Sequence, residues 1–470
     1  MSKKFLALLL IVPMLFCCKG NVQKDDNKSE IPDPIDEPEG AAPAIVSGET
    51  YLVTNENVEK FLTEVTYEDN DGLKTTKVLD YYGGFDGKTF SWDNPPQGED
   101  KPNSFSIRWK ADFSAGDLVL HLADNMGWST DTAISEGESF VNITNLVPNA
   151  EYTYKVTGSN GTVMTEGNFK TIGHVHQVFF KTKCRNARDL GGWVTADGTK
   201  RIKYRKVYRG GRMNDPWDKM LSKTGKKEVL AEGIGAELEL RGSDDYMTEP
   251  AVEGLEHCHP CIEEGGKVML GVSLPSDKIV AKWLVFDAKS PWSSDKKANY
   301  LKDGKIDKDK LTRDLEDLKL IVTMDERQAF KEAYQAKTKE CFLFTLNNVK
   351  AGKGVYFHCS LGRDRTGTMQ ILLMGILGVR EGDISKEYEL TYFAPIGYSV
   401  SSSDKDSNPI PTFHNTRKAW VYSDVVPYFW SLSKDGTFYD GVRNYLLSIG
   451  VTQAEIDEFR ELMLESVPAN

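Results

Sequence analysis

Cysteine and histidine are scarce in this chain, which has seven of each among 470 residues. Two of the cysteines, Cys17 and Cys18, end the first apolar run, and five remain. Five thiols in so long a chain exclude a disulfide framework of the kind that holds small secreted domains together. The five are Cys184, Cys258, Cys261, Cys341 and Cys359.

Metal-ligand patterns are equally sparse. His257-Cys258-His259-Pro260-Cys261 is a dense local cluster, but a closed metal site needs a second pair of ligands. No second Cys-x2-Cys and no His-x3-His occurs elsewhere in the sequence. We therefore favour a local disulfide or two unrelated thiols over a metal site, and we expect no metal and no cofactor.

The chain also lacks an excess of positive charge and a long apolar run. Its formal net charge of −12 argues against a general nucleic-acid binder, which needs a basic face. The apolar run over residues 5–16 follows Lys3 and Lys4 and is too short to cross a bilayer. A basic start before a short apolar run predicts a secretory signal over residues 1–18.

Leu15-Phe16-Cys17-Cys18 resembles a bacterial lipobox, with cleavage before Cys18 and a lipid attached to it. Cys17 is the alternative lipid site, and a plain signal peptide or an uncleaved anchor is the alternative interpretation. The resemblance implies an extracytoplasmic lipoprotein, on the periplasmic or cell-surface side, that meets the membrane by its lipid anchor only. Residues 19–44 hold four prolines and seven acidic residues against three lysines, which predicts a disordered linker.

Residues 45–172 show short strands with alternating apolar side chains between turns, and no catalytic constellation. This pattern predicts an N-terminal all-β sandwich. The predicted strands are 104–109, 118–122, 139–143, 151–156 and 168–171, with a short helix at 58–62 and a further strand at 77–82.

Leu146 to Tyr152 resembles the turn before the tyrosine corner of fibronectin type III domains. The resemblance covers about residues 103–172 and implies that Trp109 is the core tryptophan of such a domain. The role of residues 45–172 is either to act as a spacer or to contact a partner, and no residue in the sequence distinguishes these two roles.

From residue 173 to residue 470, strands alternate with helices, which predicts an α/β domain with a mostly parallel central sheet. The chain is therefore expected to be multidomain. Helices are predicted at 325–348, 439–447 and 452–460. The last has Thr452 as its N-cap and Glu455 to complete a capping box.

The most informative stretch is His358-Cys359-Ser360-Leu361-Gly362-Arg363-Asp364-Arg365-Thr366-Gly367. The apolar run before it, residues 354–357, predicts a buried strand, and residues 368–374 predict a buried helix. A strand, a tight loop and a helix N-terminus together make an anion site. The N–H groups of the loop converge there, and the helix dipole adds partial positive charge.

Two side chains at this anion site are a candidate nucleophile and a candidate phosphate ligand. Cys359 lies beside a helix N-terminus, so its pKa is expected to be depressed and its thiolate available as a nucleophile. Arg365 has the planar fork that binds two phosphate oxygens at once. The pair indicates phosphoryl transfer through a cysteinyl-phosphate. The alternative is an ordinary buried cysteine at the end of a strand.

His-Cys-x5-Arg-Thr resembles the signature loop of the cysteine-dependent protein tyrosine phosphatases. Three segments before it resemble, in order, other motifs of a bacterial and fungal branch of that family. They are Asn-Ala-Arg-Asp-Leu-Gly-Gly-Trp at 186–193, where Ala187 replaces an aromatic residue, Val-Tyr-Arg-Gly-Gly-Arg at 207–212, and Leu-Glu-Leu-Arg at 238–241. The resemblance spans about residues 180–465 and implies a cysteine-phosphatase domain over residues 173–470.

The family's mechanism implies a role for each loop residue. Cys359 attacks phosphorus, Arg365 stabilises the charge of the transition state, and Thr366 donates its hydroxyl to the thiolate. His358 supports the loop. The residues expected to bind phosphate are Ser360, Leu361, Gly362, Arg363, Asp364 and Arg365.

A general acid must protonate the leaving oxygen. Many tyrosine phosphatases supply an aspartate from a Trp-Pro-Asp loop, and this tripeptide does not occur in the sequence. In the resembled branch an aspartate just before the arginine is a catalytic candidate, and Asp364 holds that place. The alternatives are that Asp364 only braces the loop, and that Asp244 or Asp245 is the acid.

Arg188 and Asp189 belong to the first of the three motifs, and two interpretations are open. They form a structural ion pair under the Gly-Gly turn, or they support the phosphate loop from behind.

Substrate choice depends on Arg363. Members of the family that act on phosphoinositides often have lysine at this place, and the guanidinium of Arg363 is a broader donor than an ammonium. Phosphotyrosine in proteins is therefore the leading substrate class, and phosphoinositides or inositol phosphates are the alternative. A phosphate-binding module with little or no turnover is the alternative of another class, and the sequence does not predict an oligomeric state.

Overall fold

A computed structural model describes ten stretches of the chain: 42–69, 77–81, 99–180, 184–211, 223–240, 301–302, 305–306, 328–359, 362–394 and 425–468. Several sequence predictions lie outside these described residues. They concern the signal and lipobox with Cys17 and Cys18, most of the linker, the His257–Cys261 cluster, Asp244, Asp245, Ser360 and Leu361.

The strands of the described residues number fifteen. In chain order they are β1 Thr50–Leu52, β2 Phe105–Arg108, β3 Leu118–Asp124, β4 Ser129–Ile134, β5 Phe140–Ile143, β6 Glu151–Gly158, β7 Val163–Ile172, β8 Arg188–Asp189, β9 Lys200–Ile202, β10 Val207–Gly210, β11 Ile234–Glu239, β12 Leu301–Lys302, β13 Lys305–Ile306, β14 Gly354–His358 and β15 Leu464–Ser466.

The α-helices of the same residues number eight. They are α1 Glu56–Glu64, α2 Lys223–Ala231, α3 Gln328–Lys350, α4 Asp364–Leu377, α5 Glu381–Glu389, α6 Val426–Leu432, α7 Phe438–Ser448 and α8 Gln453–Met463, and a 3-10 helix, Leu390–Phe393, directly follows α5.

The N-terminal part contains two sheets. The larger has the order β1-β7-β6-β3-β4, and β2 pairs with β5 in the smaller. Burial alternates along β3 and β6, so every second side chain enters a shared core that includes Phe105, Leu120 and Phe169. The hydroxyl of Tyr152 accepts a hydrogen bond from the backbone N–H of Val147 at 2.8 Å, which is the contact of a tyrosine corner.

Some details of this region differ from the sequence predictions. Trp109 is only half-buried, because it lies just past the end of β2, where its indole N–H donates to the carbonyl oxygen of Glu138 at 2.8 Å. The predicted strand at 77–82 is wrong in its described residues, since Val78–Asp80 is a 3-10 helix. The sequence patterns also missed β1 and β4, which are short or carry mostly polar side chains.

The C-terminal part is built on a four-stranded sheet of order β11-β14-β10-β8. Strands β10 and β11 both pair in parallel with β14, and only the two-residue β8 is antiparallel. All five residues of β14 are buried, as the apolar run at 354–357 predicted. The carboxyl end of this central strand therefore leads directly into the signature loop.

Helices cover this sheet much as the periodicity predicted. Helix α3 packs against β11 and β14, and Phe342, Leu346 and Val349 belong to the same buried core as the central strand. Helix α8 begins after Thr452, whose side chain and that of Glu455 form the predicted capping box. The two capping contacts satisfy backbone N–H groups at the helix start.

Helix α1 packs against the C-terminal part of the chain. It belongs to residues 54–103, which connect β1 to β2 and which we call the inserted segment. Phe61 of α1 is fully buried in a cluster with Leu390 and Phe393 of the C-terminal part. The two halves of the chain therefore share a core.

No helix in the described part of the chain is long and apolar enough to cross a membrane.

Candidate active site

The signature loop joins the buried strand β14 to the helix α4. Cys359 follows β14 and is 4% exposed, and α4 begins five residues later at Asp364. The N-terminus of a helix presents unpaired N–H groups and partial positive charge to whatever lies before it. The backbone therefore places Cys359 between the end of β14 and the N-terminus of α4, where the sequence pattern predicts an anion site.

Gly362 shows why the loop needs a glycine. Its φ of 68° lies in the left-handed region, where a side chain is strained. A Cβ atom at this position would also overlap the backbone carbonyl of Gly210, at the end of β10. The loop can therefore pack against β10 only with hydrogen at this position.

The carbonyl oxygen of Gly362 is held from behind the loop by two side chains. Asn186 donates to it through Nδ2 at 3.0 Å, and Arg209 donates to it through Nη2. A peptide whose carbonyl is bound on one side directs its N–H toward the other. These contacts favour a loop whose N–H groups face the anion site.

Arg209 is the largest fully buried side chain near the loop, with 0% exposure. Burial and the like charge of Arg188 lower the pKa of Arg209 to about 9, while Glu387 and Cys359 favour its charged form. A pKa near 9 leaves the guanidinium charged at neutral pH. The loop is therefore backed by a positive charge that water does not reach.

One buried carboxylate connects the two arginines. Glu387 Oε1 lies 2.7 Å from Nε of Arg188 and 3.5 Å from Nη1 of Arg209. Arg188 also donates to both oxygens of Asn186, so it supports the residue that holds the loop carbonyl. These contacts connect β8 and β10 with α5 behind the loop.

The ion pair between Arg188 and Asp189 that the sequence left open is not formed. Neighbouring side chains of a strand point to opposite faces, so the two groups diverge. Asp189 instead accepts from the backbone N–H groups of Gly191 at 2.8 Å and Arg205 at 2.5 Å. Asp189 thus braces the Gly-Gly turn, while Arg188 faces the loop.

His358 precedes the cysteine and is buried with a carboxylate. Its Nε2 lies 2.6 Å from Oε1 of Glu237 on β11, and its Nδ1 lies 3.2 Å from the carbonyl oxygen of Cys359. Both partners are acceptors, so the contacts need either an imidazolium or a proton on Glu237. Either form fixes the ring and the peptide that carries the thiol.

The structure describes the side chains of only some of the remaining residues predicted for the loop. The hydroxyl of Thr366 is fully buried and has no hydrogen-bond partner among the described residues, so its predicted bond to Cys359 is not formed in this arrangement. Asp364 and Arg365 start α4, and their side chains are not among the described ones. Arg363 is 7% exposed.

No group of three or more histidine, cysteine, aspartate or glutamate side chains in the described stretches is arranged to hold a metal ion.

Sequence reasoning missed several residues that shape this site. Arg209 could have been recognised, because a charged side chain within a buried strand is rarely found without a partner. Asn186 was part of a recognised motif but received no role. Glu237 and Glu387 gave no local signal, since each becomes important only through a partner far away in the sequence.

Comparisons with known proteins identify the family of the chain. Residues 181–465 match the family described as the tyrosine phosphatase family, and this match covers more than half of the chain. The chain therefore belongs to the tyrosine phosphatase family.

Two relatives carry matching names. A tyrosine-protein phosphatase of Nostoc commune is 28% identical over 116 residues, which are 23% of this chain and 37% of the relative. A candidate tyrosine-protein phosphatase of Cupriavidus necator is 36% identical over 55 residues, which are 12% of this chain and 20% of the relative. The chain thus spans less than half the length of these curated relatives.

Proposed function

We propose that this protein hydrolyses phosphomonoesters through a covalent intermediate on Cys359, and that phosphotyrosine in proteins is its leading substrate class. The observation that carries the proposal is the position of Cys359, buried between the end of β14 and the N-terminus of α4. The second support is the loop carbonyl of Gly362, which Arg209 and Asn186 hold from behind.

The reaction has two displacement steps. In the first, the thiolate of Cys359 attacks phosphorus, the S–P bond forms, and the P–O bond to the leaving group breaks. The leaving oxygen takes a proton from an acid. In the second, water attacks phosphorus and gives a proton to the conjugate base of the same acid. The new P–O bond forms, the S–P bond breaks, and the thiolate and inorganic phosphate are released.

The positive charge that this reaction needs comes from the protein. N–H groups at the start of α4 and the guanidinium of Arg365 would hold the equatorial oxygens. Arg209, charged at neutral pH behind the loop, adds to the potential at Cys359. Buried charge acts over a longer range than exposed charge, because little water screens it.

Asp364 is the acid that we assign. It is the first residue of α4, directly before Arg365 and five residues after Cys359. We expect Asp364→Ala to slow turnover most on substrates with poor leaving groups, since these need the proton most. An unchanged rate on a poor leaving group would remove Asp364 from this role.

The proposed preference for phosphotyrosine over inositol-based substrates depends on Arg363. Its 7% exposure leaves little of the side chain for a second phosphate group of a polyphosphorylated ring. This supports phosphotyrosine over phosphoinositides or inositol phosphates. The experiment is a panel run on the full chain, with phosphotyrosine peptide, phosphoserine peptide, phosphoinositide vesicles and inositol phosphates. A higher kcat/KM on either inositol-based substrate would reverse the order.

The alternative from another class is a phosphate-binding module. Such a module would have the same anion site as the enzyme but would not turn over substrate. Hydrolysis of an aryl phosphate therefore distinguishes the enzyme from the module. Steady-state release of phosphate by the wild type, absent in Cys359→Ser, supports the enzyme. Binding of a phosphotyrosine peptide without release of phosphate supports the module.

We further propose a lipid anchor at Cys18 and a fibronectin type III-like fold for the N-terminal sandwich. The tyrosine-corner contact between Tyr152 and Val147 supports the second. For the first, a labelled fatty acid should be incorporated by the wild type in a bacterial host and lost in Cys18→Ala. Incorporation that persists in Cys18→Ala and disappears in Cys17→Ala would move the anchor by one residue.

A further inference from the structure

The inserted segment leaves the sandwich and returns to it at one point. Asn103 closes this base, because its side-chain amide donates to the carbonyl oxygens of Leu52 and Thr54, at 3.0 Å each. Described residues between its two ends, such as Phe61 and Tyr67, are buried with Phe393 of the C-terminal part. Thr54 marks the departure, where its hydroxyl donates to the carbonyl oxygen of Val175 at 3.0 Å.

One carboxylate of the inserted segment reaches the loop through a single residue. Asp100 Oδ2 accepts from the backbone N–H of Asn186 at 2.6 Å. The side chain of the same Asn186 donates to the carbonyl oxygen of Gly362. Asn186 has a φ of 61°, a conformation that few residues other than glycine adopt, so its partners help to hold it there.

Asp100 is itself held in place by its neighbour. The backbone N–H of Glu99 donates to the carbonyl oxygen of Phe393 at 2.8 Å. Gln177 donates through Nε2 to the carbonyl oxygen of Glu99 at 3.1 Å. The carboxylate therefore has a fixed position relative to the C-terminal part, from which it can orient Asn186.

The chemistry of Asp100 is unusual for a packing residue. It is 8% exposed, and its Oδ1 has no hydrogen-bond partner in the described part of the chain. Burial raises the pKa of this carboxyl, and a buried polar atom without a partner costs stability. Because the buried carboxyl lowers stability, we expect Asp100 to have a role other than packing.

A second route leads from the inserted segment to the helix behind the loop. The hydroxyl of Tyr67 lies 2.5 Å from Oε2 of Glu389, and Lys386 donates to the carbonyl oxygen of Leu62 at 3.0 Å. Both partners lie on α5, which also carries Glu387, the carboxylate shared by the two buried arginines. The inserted segment thus supports the loop both through Asn186 and through α5.

We infer that the described residues of the inserted segment help to build the catalytic site, and that Asp100 is a positioning residue for the phosphate loop. This inference rests on the proposed function, because the loop is the one that binds phosphate there. It assigns the N-terminal half a role in building the site, beyond spacing or partner contact. It predicts that the loop loses its orientation when the carboxylate is removed.

The test uses three variants of the full chain. Asp100→Ala removes the acceptor, Asp100→Asn keeps an acceptor oxygen, and Asp131→Ala removes an exposed carboxylate on β4 that pairs with His121 and lies outside the inserted segment. Two readouts report the loop directly: the pH dependence of alkylation of Cys359 by iodoacetamide, and its protection by inorganic phosphate. Mass spectrometry of the alkylated peptide distinguishes Cys359 from other thiols, and thermal midpoints report folding.

We expect Asp100→Ala to move the alkylation profile to higher pH and to weaken protection by phosphate about tenfold, the size of one lost hydrogen bond to a charged group. Asp100→Asn should restore most of both, and the control Asp131→Ala should change neither. Equal changes in Asp100→Ala and Asp131→Ala, or none in Asp100→Ala, would overturn the inference. Neither readout needs turnover, so failure of the wild type to hydrolyse an aryl phosphate would refute the proposed function separately.

Discussion

Arg209 is fully buried behind the signature loop, and its guanidinium donates to the carbonyl oxygen of Gly362. This contact joins β10 to the loop that follows its parallel neighbour β14. It explains why a charged residue occupies the middle of a buried strand. The loop is held at Gly362 by a fixed donor behind it, and we expect this contact to organise its N–H groups before any ligand arrives.

We expect Arg209→Lys to lower kcat/KM on an aryl phosphate by at least about tenfold. Lysine keeps the charge but loses the planar fork that reaches Gly362, Gln370 and Glu387 together. Steady-state kinetics measure the loss. The matched control is Arg201→Lys, whose guanidinium pairs with Glu465 away from the site, and its kinetics should stay unchanged.

Gly362→Ala should remove activity, because the new Cβ would overlap the backbone of Gly210 and displace the loop. Gly352→Ala is the matched control, because it introduces the same left-handed backbone strain without any overlap. Gly352 has a φ of 76° and open space around its Cβ direction. Both variants should lose about 1–2 kcal/mol of unfolding free energy to left-handed strain. Gly362→Ala alone should lose protection of Cys359 by phosphate, and equal protection in both would contradict the account.

The stability of Asp100→Asn relative to the wild type should depend on pH. Burial raises the pKa of Asp100, so its carboxyl adds no charge penalty below its unfolded pKa of about 3.9. The penalty grows as the pH rises from the unfolded pKa toward the raised folded pKa and stays constant above it, and the neutral amide of asparagine escapes it. Urea midpoints measured from about pH 4 upward should therefore shift in favour of Asp100→Asn. A difference that is constant over this range would show that the carboxyl is not destabilised by burial.

The local elements could be predicted from the sequence because their signals are local. The strand at 354–357, the helix after it and the cap at Thr452 each depend on residues within a few positions. The four ordered motifs then indicated the family. Polar strands such as β4 carry no comparable pattern, and the sequence missed them.

The long-range contacts could not be predicted in the same way. Nothing near Glu387 marks it as the partner of Arg188 and Arg209, and nothing near Asp100 connects it to Asn186. The helix at 58–62 was predicted, but its packing against Phe393 depends on a surface more than three hundred residues away. Such partners follow from the tertiary fold and not from periodicity.

The central claim is that phosphate passes through the sulfur of Cys359. The most direct measurement mixes the full-length wild type with an aryl phosphate, quenches it with acid during the first turnovers, and maps the phosphorylated peptide by mass spectrometry. The account predicts one phosphate on Cys359, which disappears as substrate is exhausted and is absent in Cys359→Ser. Turnover by Cys359→Ser at the wild-type rate, or a phosphate on another residue, would contradict it.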